Sequence, residues 1–168
     1  MKTLKLNYFT SKDDLRPSLQ HIQFNENGYI YASDAHKLIK STISDVFGDS
    51  FNSGGLQKLW STHKEMHVHS DEWKKIAGKQ LTYCELLTES GNKAIVQFYD
   101  KKTQYTVTFI TNDYETFPDC ERVIPTGELI PIEYIGIDGN LLSDVTMAIK
   151  SSYPALFKYE FRGDLKSI

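Results

Sequence analysis

The chain has 168 residues, 40% hydrophobic and 24% charged, the size and composition of one ordinary globular domain. A net charge of −3 excludes a uniformly basic nucleic-acid binder, so any attraction to DNA has to come from a local concentration of Lys and Arg. Every apolar run is interrupted within about ten residues, too short to cross a bilayer, and residues 1–7 lack the apolar stretch of a signal peptide. A cytoplasmic protein with no membrane partner is expected.

In chain order, residues 3–9 alternate polar and apolar and read as a strand. A polar break at 11–14 leads to Arg16-Pro17, and residues 21–24 and 29–32 then form a predicted hairpin. Its turn, Asn25-Glu26-Asn27-Gly28, carries the Asn-Gly pair that accepts a left-handed backbone. Residues 35–43 read as extended, 46–55 as a Gly/Ser/Asn/Asp surface loop, and 56–64 as either a short helix or an irregular insertion.

Residues 66–69 read as a strand, and Ser70 is a good N-cap for a helix running to about 79, with Asp71 and Glu72 in its first turn. Trp73, Ile76 and Ala77 share a face of that helix, and Lys74, Lys75 and Lys79 lie off it. Strands at 81–88, 93–99 and 105–112 follow. The last third repeats the order: a strand at 132–137, a helix capped by Asp138 or Asn140 with the stripe Leu141, Leu142, Val145, Ala148 and Ile149, then extended runs at 157–161 and 165–168. A strand–helix–strands unit thus occurs at 66–112 and again at 132–168, whereas the first 45 residues supply strands without a helix.

Chemistry-bearing patterns are sparse. Cys84 and Cys120 are too few for a disulfide framework and form no CxxC, so free, at least half-buried thiols are expected. His67 and His69 point the same way from one strand with His63 nearby, but no further ligand stands at a metal-binding spacing. Asp34 and His36 are acid–base types on one side of an extended segment, yet no Ser or Cys nucleophile has a recognisable setting. No phosphate-binding glycine loop occurs. Neither catalysis nor a metal or other cofactor is expected.

Three segments carry a family resemblance. Lys12-Asp13-Asp14-Leu15-Arg16-Pro17-Ser18-Leu19, Ala32-Ser33-Asp34-Ala35-His36-Lys37-Leu38 and Phe117-Pro118-Asp119-Cys120-Glu121-Arg122-Val123-Ile124-Pro125 resemble, in order, motifs of the bacterial polymerase III β sliding clamp. With the strand order they cover about 12–125, resembling the clamp's middle domain, and 128–168 resembles the start of the next domain in pattern only. The resemblance implies an α+β DNA-clamp fold, β-sheets backed by two amphipathic helices, with no catalytic role. It also implies a shallow groove for short peptides of polymerases and repair proteins, carried over to Leu19, Ser33, Ala35, His36, Lys37, Leu38, Pro118, Arg122 and Val123.

In that reading Leu19, Leu38, Pro118 and Val123 supply an apolar floor, and His36, Lys37 and Arg122 a polar rim. Lys74, Lys75 and Lys79 would track phosphates of double-stranded DNA without reading bases, in a ring closed by homo-oligomerisation. The alternative is a stand-alone interaction module or clamp mimic without DNA binding, in which these lysines are the solvated face of the helix. The chain departs from the family at Ala35 (a Gly there), Cys120 (an aromatic) and Glu121 (a basic residue), and it lacks the last domain's share of the groove. The 141–149 helix either completes a circularly permuted single clamp domain or begins a second domain; the first is favoured, because an uncovered apolar stripe invites aggregation.

Overall fold

The computed structural model describes residues 1–111, 117–125, 127–128 and 137–149. Seven strands form one sheet: β1 (His21–Phe24), β2 (Tyr29–Ser33), β3 (Leu38–Thr42), β4 (Met66–His69), β5 (Tyr83–Ser90), β6 (Lys93–Tyr99) and β7 (Gln104–Thr111). Their order is β3-β2-β1-β4-β7-β6-β5, and every neighbouring pair is antiparallel. Four helices accompany it: α1 (Ile43–Phe47), α2 (Gly54–Thr62), α3 (Ser70–Lys74) and α4 (Gly139–Ile149). The expected α+β class is present, with one open sheet and four helices among the described residues.

Period-two alternation sorts the sheet into two faces. Ile22, Phe24, Ile30, Ala32, Met66, Val68, Val96, Phe98, Val107 and Phe109 belong to the main core beneath the helices. The register Gln23↔Tyr31 and Gln23↔His67, with His21↔His69, puts a polar and aromatic set on the opposite face. The β1–β2 turn forms as its sequence requires: Gly28 takes φ +81, and Asn25 Oδ1 accepts from the amides of Asn27 and Tyr29. At the β6–β7 turn Asp100 does the same for Lys102 and Thr103.

Residues 3–9 are not a strand. Their amides are satisfied elsewhere, Leu4 N by Val46 O at 2.9 Å and Lys5 N by Ala148 O at 3.2 Å, and the chain tightens into a 3-10 turn at Leu6–Tyr8. The polar–apolar alternation of the sequence mimics a strand, but the buried residues here are Thr3, Leu4, Leu6 and Phe9, which do not alternate. Trp73 Nε1 donates to Leu4 O at 3.0 Å, and both α3 and α4 pack on the 3-10 turn. Ala148 lies fully buried in the main core with Trp73, and Val145 and Ile149 pack against it, so this part of the stripe sits on the same core as α3, whereas Leu142 is exposed.

The 46–55 stretch is not a surface loop either. Thr42 and Asp45 form a reciprocal capping box that starts α1, and Val46, Phe47 and Phe51 are buried. Phe47 stacks on Phe51 at 4.4 Å and meets Trp73 at 5.8 Å, extending an aromatic core through Phe24, Phe98 and Phe109. The 56–64 stretch, left open between helix and insertion, lies mostly in α2. The cap of α3 is His69, extended at ψ 145 with Nδ1 accepting from Asp71 N, rather than Ser70. That helix ends at Lys74, and turns carry the chain to Gly78, so the helix expected to reach 79 is shorter. The expected strand at 132–137 lies almost wholly, and those at 157–161 and 165–168 entirely, outside the described residues.

One close approach fixes how α2 sits. A Cβ on Gly55 would meet the Glu85 backbone of β5 at 2.7 Å. Gly55→Ala is therefore expected to destabilise the protein by about 1–3 kcal/mol through overpacking, despite alanine's better helix propensity. Comparing urea midpoints checks this; an unchanged or higher midpoint would contradict the packing.

Candidate functional site

The three motif segments meet around the far face of β2 and β1. Leu19, Tyr31, Phe117 and Cys120 form a second apolar cluster, against which Leu38 and Tyr29 pack. Glu121 fastens the third segment, accepting from the Tyr31 hydroxyl and pairing with Lys40 at 2.6 Å. The Lys40 hydrogen bond, then that of Tyr31, holds the Glu121 carboxyl below its usual range. Burial, then the Glu121 carboxylate, pushes the Tyr31 phenol upward.

Convergence is not the same as a groove floor. Leu19 is only 6% exposed because Phe117 and Cys120 share its cluster, so it is a base for the segment rather than a surface for an anchor. Leu38 is half-buried, while Pro118, Arg122 and Val123 project, with Val123 66% exposed and Arg122 paired to Asp119 at 3.1 Å. The expected continuous floor of Leu19, Leu38, Pro118 and Val123 is thus split into a buried layer and an exposed one.

The β2–β3 loop explains where Ser33, Ala35, His36 and Lys37 go. Ser33 Oγ donates to Lys37 O, and Asp34 Oδ1 accepts from the amides of His36 and Lys37. Ala35 has φ +76, the left-handed region where glycine costs nothing and alanine costs about 1–2 kcal/mol. Lys37 is no free rim cation: Nζ lies 2.9 Å from Asp34 and 2.7 Å from Asp144 of α4, with the side chain only 12% exposed. Burial opposes the charge on Lys37, but Asp144 and Asp34 outweigh it and raise the pKa; burial likewise opposes Asp34, whose bonds from Lys37 and the loop amides lower it.

His36 and Lys37 instead line an open, polar cleft of about 670 Å³ together with Lys12, Arg16 and Lys74. One residue assigned to DNA and two assigned to peptides therefore share one cavity. Lys74 and Lys75 are each paired with an acid three residues earlier, Asp71 at 2.7 Å and Glu72 at 2.5 Å, and Lys79 lies 5.7 Å from the Tyr105 ring. The charges of Lys74 and Lys75 are thus largely offset by acids of α3, whereas that of Lys79 is not. Both thiols are buried and pushed up to about 11, chiefly by burial.

Sequence reading missed the imidazole row on β1 and β4. His21 and His69 are ring neighbours at 4.9 Å, and His67 faces Phe117 at 6.2 Å. His63 belongs elsewhere, bonded to Glu89. Among the described residues no group of three His, Cys, Asp or Glu is placed to hold a metal. Only strand pairing brings His21 to His69, so no local signal announced it. No family model matches the chain, and neither curated proteins nor solved structures provide a match.

Burial, followed by repulsion from His21, lowers His67 to about 4, and Glu65 at 3.8 Å is too solvated to offset this. A histidine kept neutral in the fold binds fewer protons than in the unfolded chain, so its contribution is lost as pH falls from about 6.5 toward 4. Stability is expected to drop by about 2 kcal/mol between pH 7 and pH 5 from His67 alone, with His21, also lowered by burial, acting in the same direction. Urea unfolding across that range checks it, and His67→Gln should flatten the slope.

Proposed function

We propose that this chain is a non-catalytic docking domain of the sliding-clamp type, which binds short peptide segments of replication or repair proteins beside residues 117–123. One observation carries the reading. Motif residues far apart in sequence, Leu19, Leu38, Phe117 and Cys120, pack into one cluster. The resemblance requires that convergence, and local sequence preference does not. The apolar side chains of Val123 and of Leu15, 66% and 90% exposed, lie in the same motif segments and offer uncovered area for an apolar anchor. The packing of α4 on the core shared with α3 favours a single permuted clamp domain over the beginning of a second.

Two features favour docking without duplex tracking. Net charge is −3, and Lys74 and Lys75 are neutralised locally by Asp71 and Glu72. Phosphate tracking draws its affinity from uncompensated cations and weakens steeply with salt.

Fluorescence anisotropy with labelled peptides from polymerase and repair proteins, each bearing an apolar anchor, tests the reading. Saturable binding is expected, weakened about tenfold by Val123→Asp, a change on an exposed side chain that leaves the fold intact. Absence of saturable binding, or indifference to that substitution, would remove the docking role. A parallel titration with duplex DNA should show no binding near about 0.15 M salt; tight, steeply salt-dependent binding would restore the duplex-tracking alternative.

A further inference from the structure

Beneath the third motif segment lies a pocket of about 190 Å³ that packing leaves open. Gln23 enters its wall from β1, Tyr31 from β2, Glu65 from the turn before β4, and Phe117, Asp119 and Glu121 from the segment above. Gln23 is the informative residue. It is 8% exposed, and no hydrogen bond of its carboxamide occurs among the described residues. Its oxygen and nitrogen are not sealed from solvent, so the carboxamide faces the pocket with hydrogen-bonding positions that water or an entering polar group can use.

The charge around that amide selects what enters. Glu121 is balanced by Lys40 and Asp119 by Arg122, but among the described residues Glu65 has only His67 beside it, at 3.8 Å, and that imidazole is neutral near pH 7. The wall therefore keeps one carboxylate in excess, 57% exposed and reachable from solvent. An anion is repelled, and an apolar group would leave Gln23 unsatisfied. A planar cation with several N–H donors can serve the Gln23 carbonyl and a carboxylate together, which a single ammonium point charge does less well.

We propose that this pocket binds the guanidinium of an arginine side chain, supplied by the peptide docked beside residues 117–123. The peptide source rests on the docking reading above; the guanidinium chemistry does not. It gives the docking surface a polar selector next to the exposed Pro118 and Val123. Glu121, which stands where the resembling family carries a basic residue, removes a charge that would repel an arginine here.

The full chain, labelled with nitrogen-15, would be titrated with acetyl-arginine methylamide and, separately, with the neutral isostere acetyl-citrulline methylamide. Saturable shifts of the Gln23 side-chain amide and of the backbone amides of residues 117 and 119–121 are expected with the first probe only. Gln23→Leu and Glu65→Gln should each weaken that binding about tenfold or more. Glu65→Gln alters an exposed side chain, so it keeps the test valid should Gln23→Leu perturb folding. Equal shifts with both probes, no saturable shifts, or indifference to Glu65→Gln would overturn the site. Labelled peptides with and without an arginine separate the two readings. Peptide binding that ignores the arginine overturns the selector and leaves docking standing. A pocket that takes acetyl-arginine methylamide while no peptide binds removes docking and retains the guanidinium site.

Discussion

The fold depends on how the first nine residues satisfy their backbone. Buried amides and carbonyls need partners, and this segment finds them in elements from across the chain rather than in an adjacent strand. Thr3 N donates to Lys79 O, Leu4 N to Val46 O and Lys5 N to Ala148 O, while Leu4 O accepts from the Trp73 indole. These bonds tie the end of α1, the α3 region and α4 to one strip of backbone lying over the sheet. The aromatic core of Phe24, Phe47, Phe98 and Trp73 closes beneath it. Without that strip, α4 would have no backbone anchor among the described residues, and its apolar stripe would lack a reason to settle beside α3.

The second face of the sheet is organised differently. It carries polar and aromatic side chains, and among the described residues the 117–123 segment packs there through Phe117 and Cys120. Two buried apolar contacts would hold such a short segment loosely. Glu121 adds the restraint, bonded at once to Tyr31 and Lys40, with Lys40 also 4.0 Å from the Tyr29 ring. A basic residue at that position would lose both bonds. The segment is thereby held firmly enough to present Pro118 and Val123 outward, and to roof the cavity over Gln23. At one end of the sheet, Lys37 between Asp34 and Asp144 joins the β2–β3 loop to α4, linking the motif loop to the helical layer.

Much of the sheet was legible because its signals are local. The Asn-Gly turn, the alternation in β6 and β7 and the apolar stripe of α4 each encode their own geometry within a few residues. The Thr42 and Asp45 capping box was equally local and readable, and it was masked by the Gly- and Ser-rich stretch that follows. Residues 3–9 misled because polar–apolar alternation in sequence does not show whether a segment pairs as a strand or threads under helices, where Thr3, Leu4, Leu6 and Phe9 are the buried residues.

For the site, the sequence by itself determined the identity and order of the three segments at 12–19, 32–38 and 117–125, since those are properties of residue identity. Tertiary structure alone decided that Leu19 is covered by Phe117 and Cys120, that Lys37 is spent between two carboxylates, and that the carboxamide of Gln23 on β1 has no hydrogen-bond partner among the described residues. Exposure and hydrogen-bond satisfaction depend on what the rest of the chain places against a side chain. Those neighbours arrive through strand pairing and segment packing across dozens of residues, beyond the reach of any pattern a short window of sequence can display.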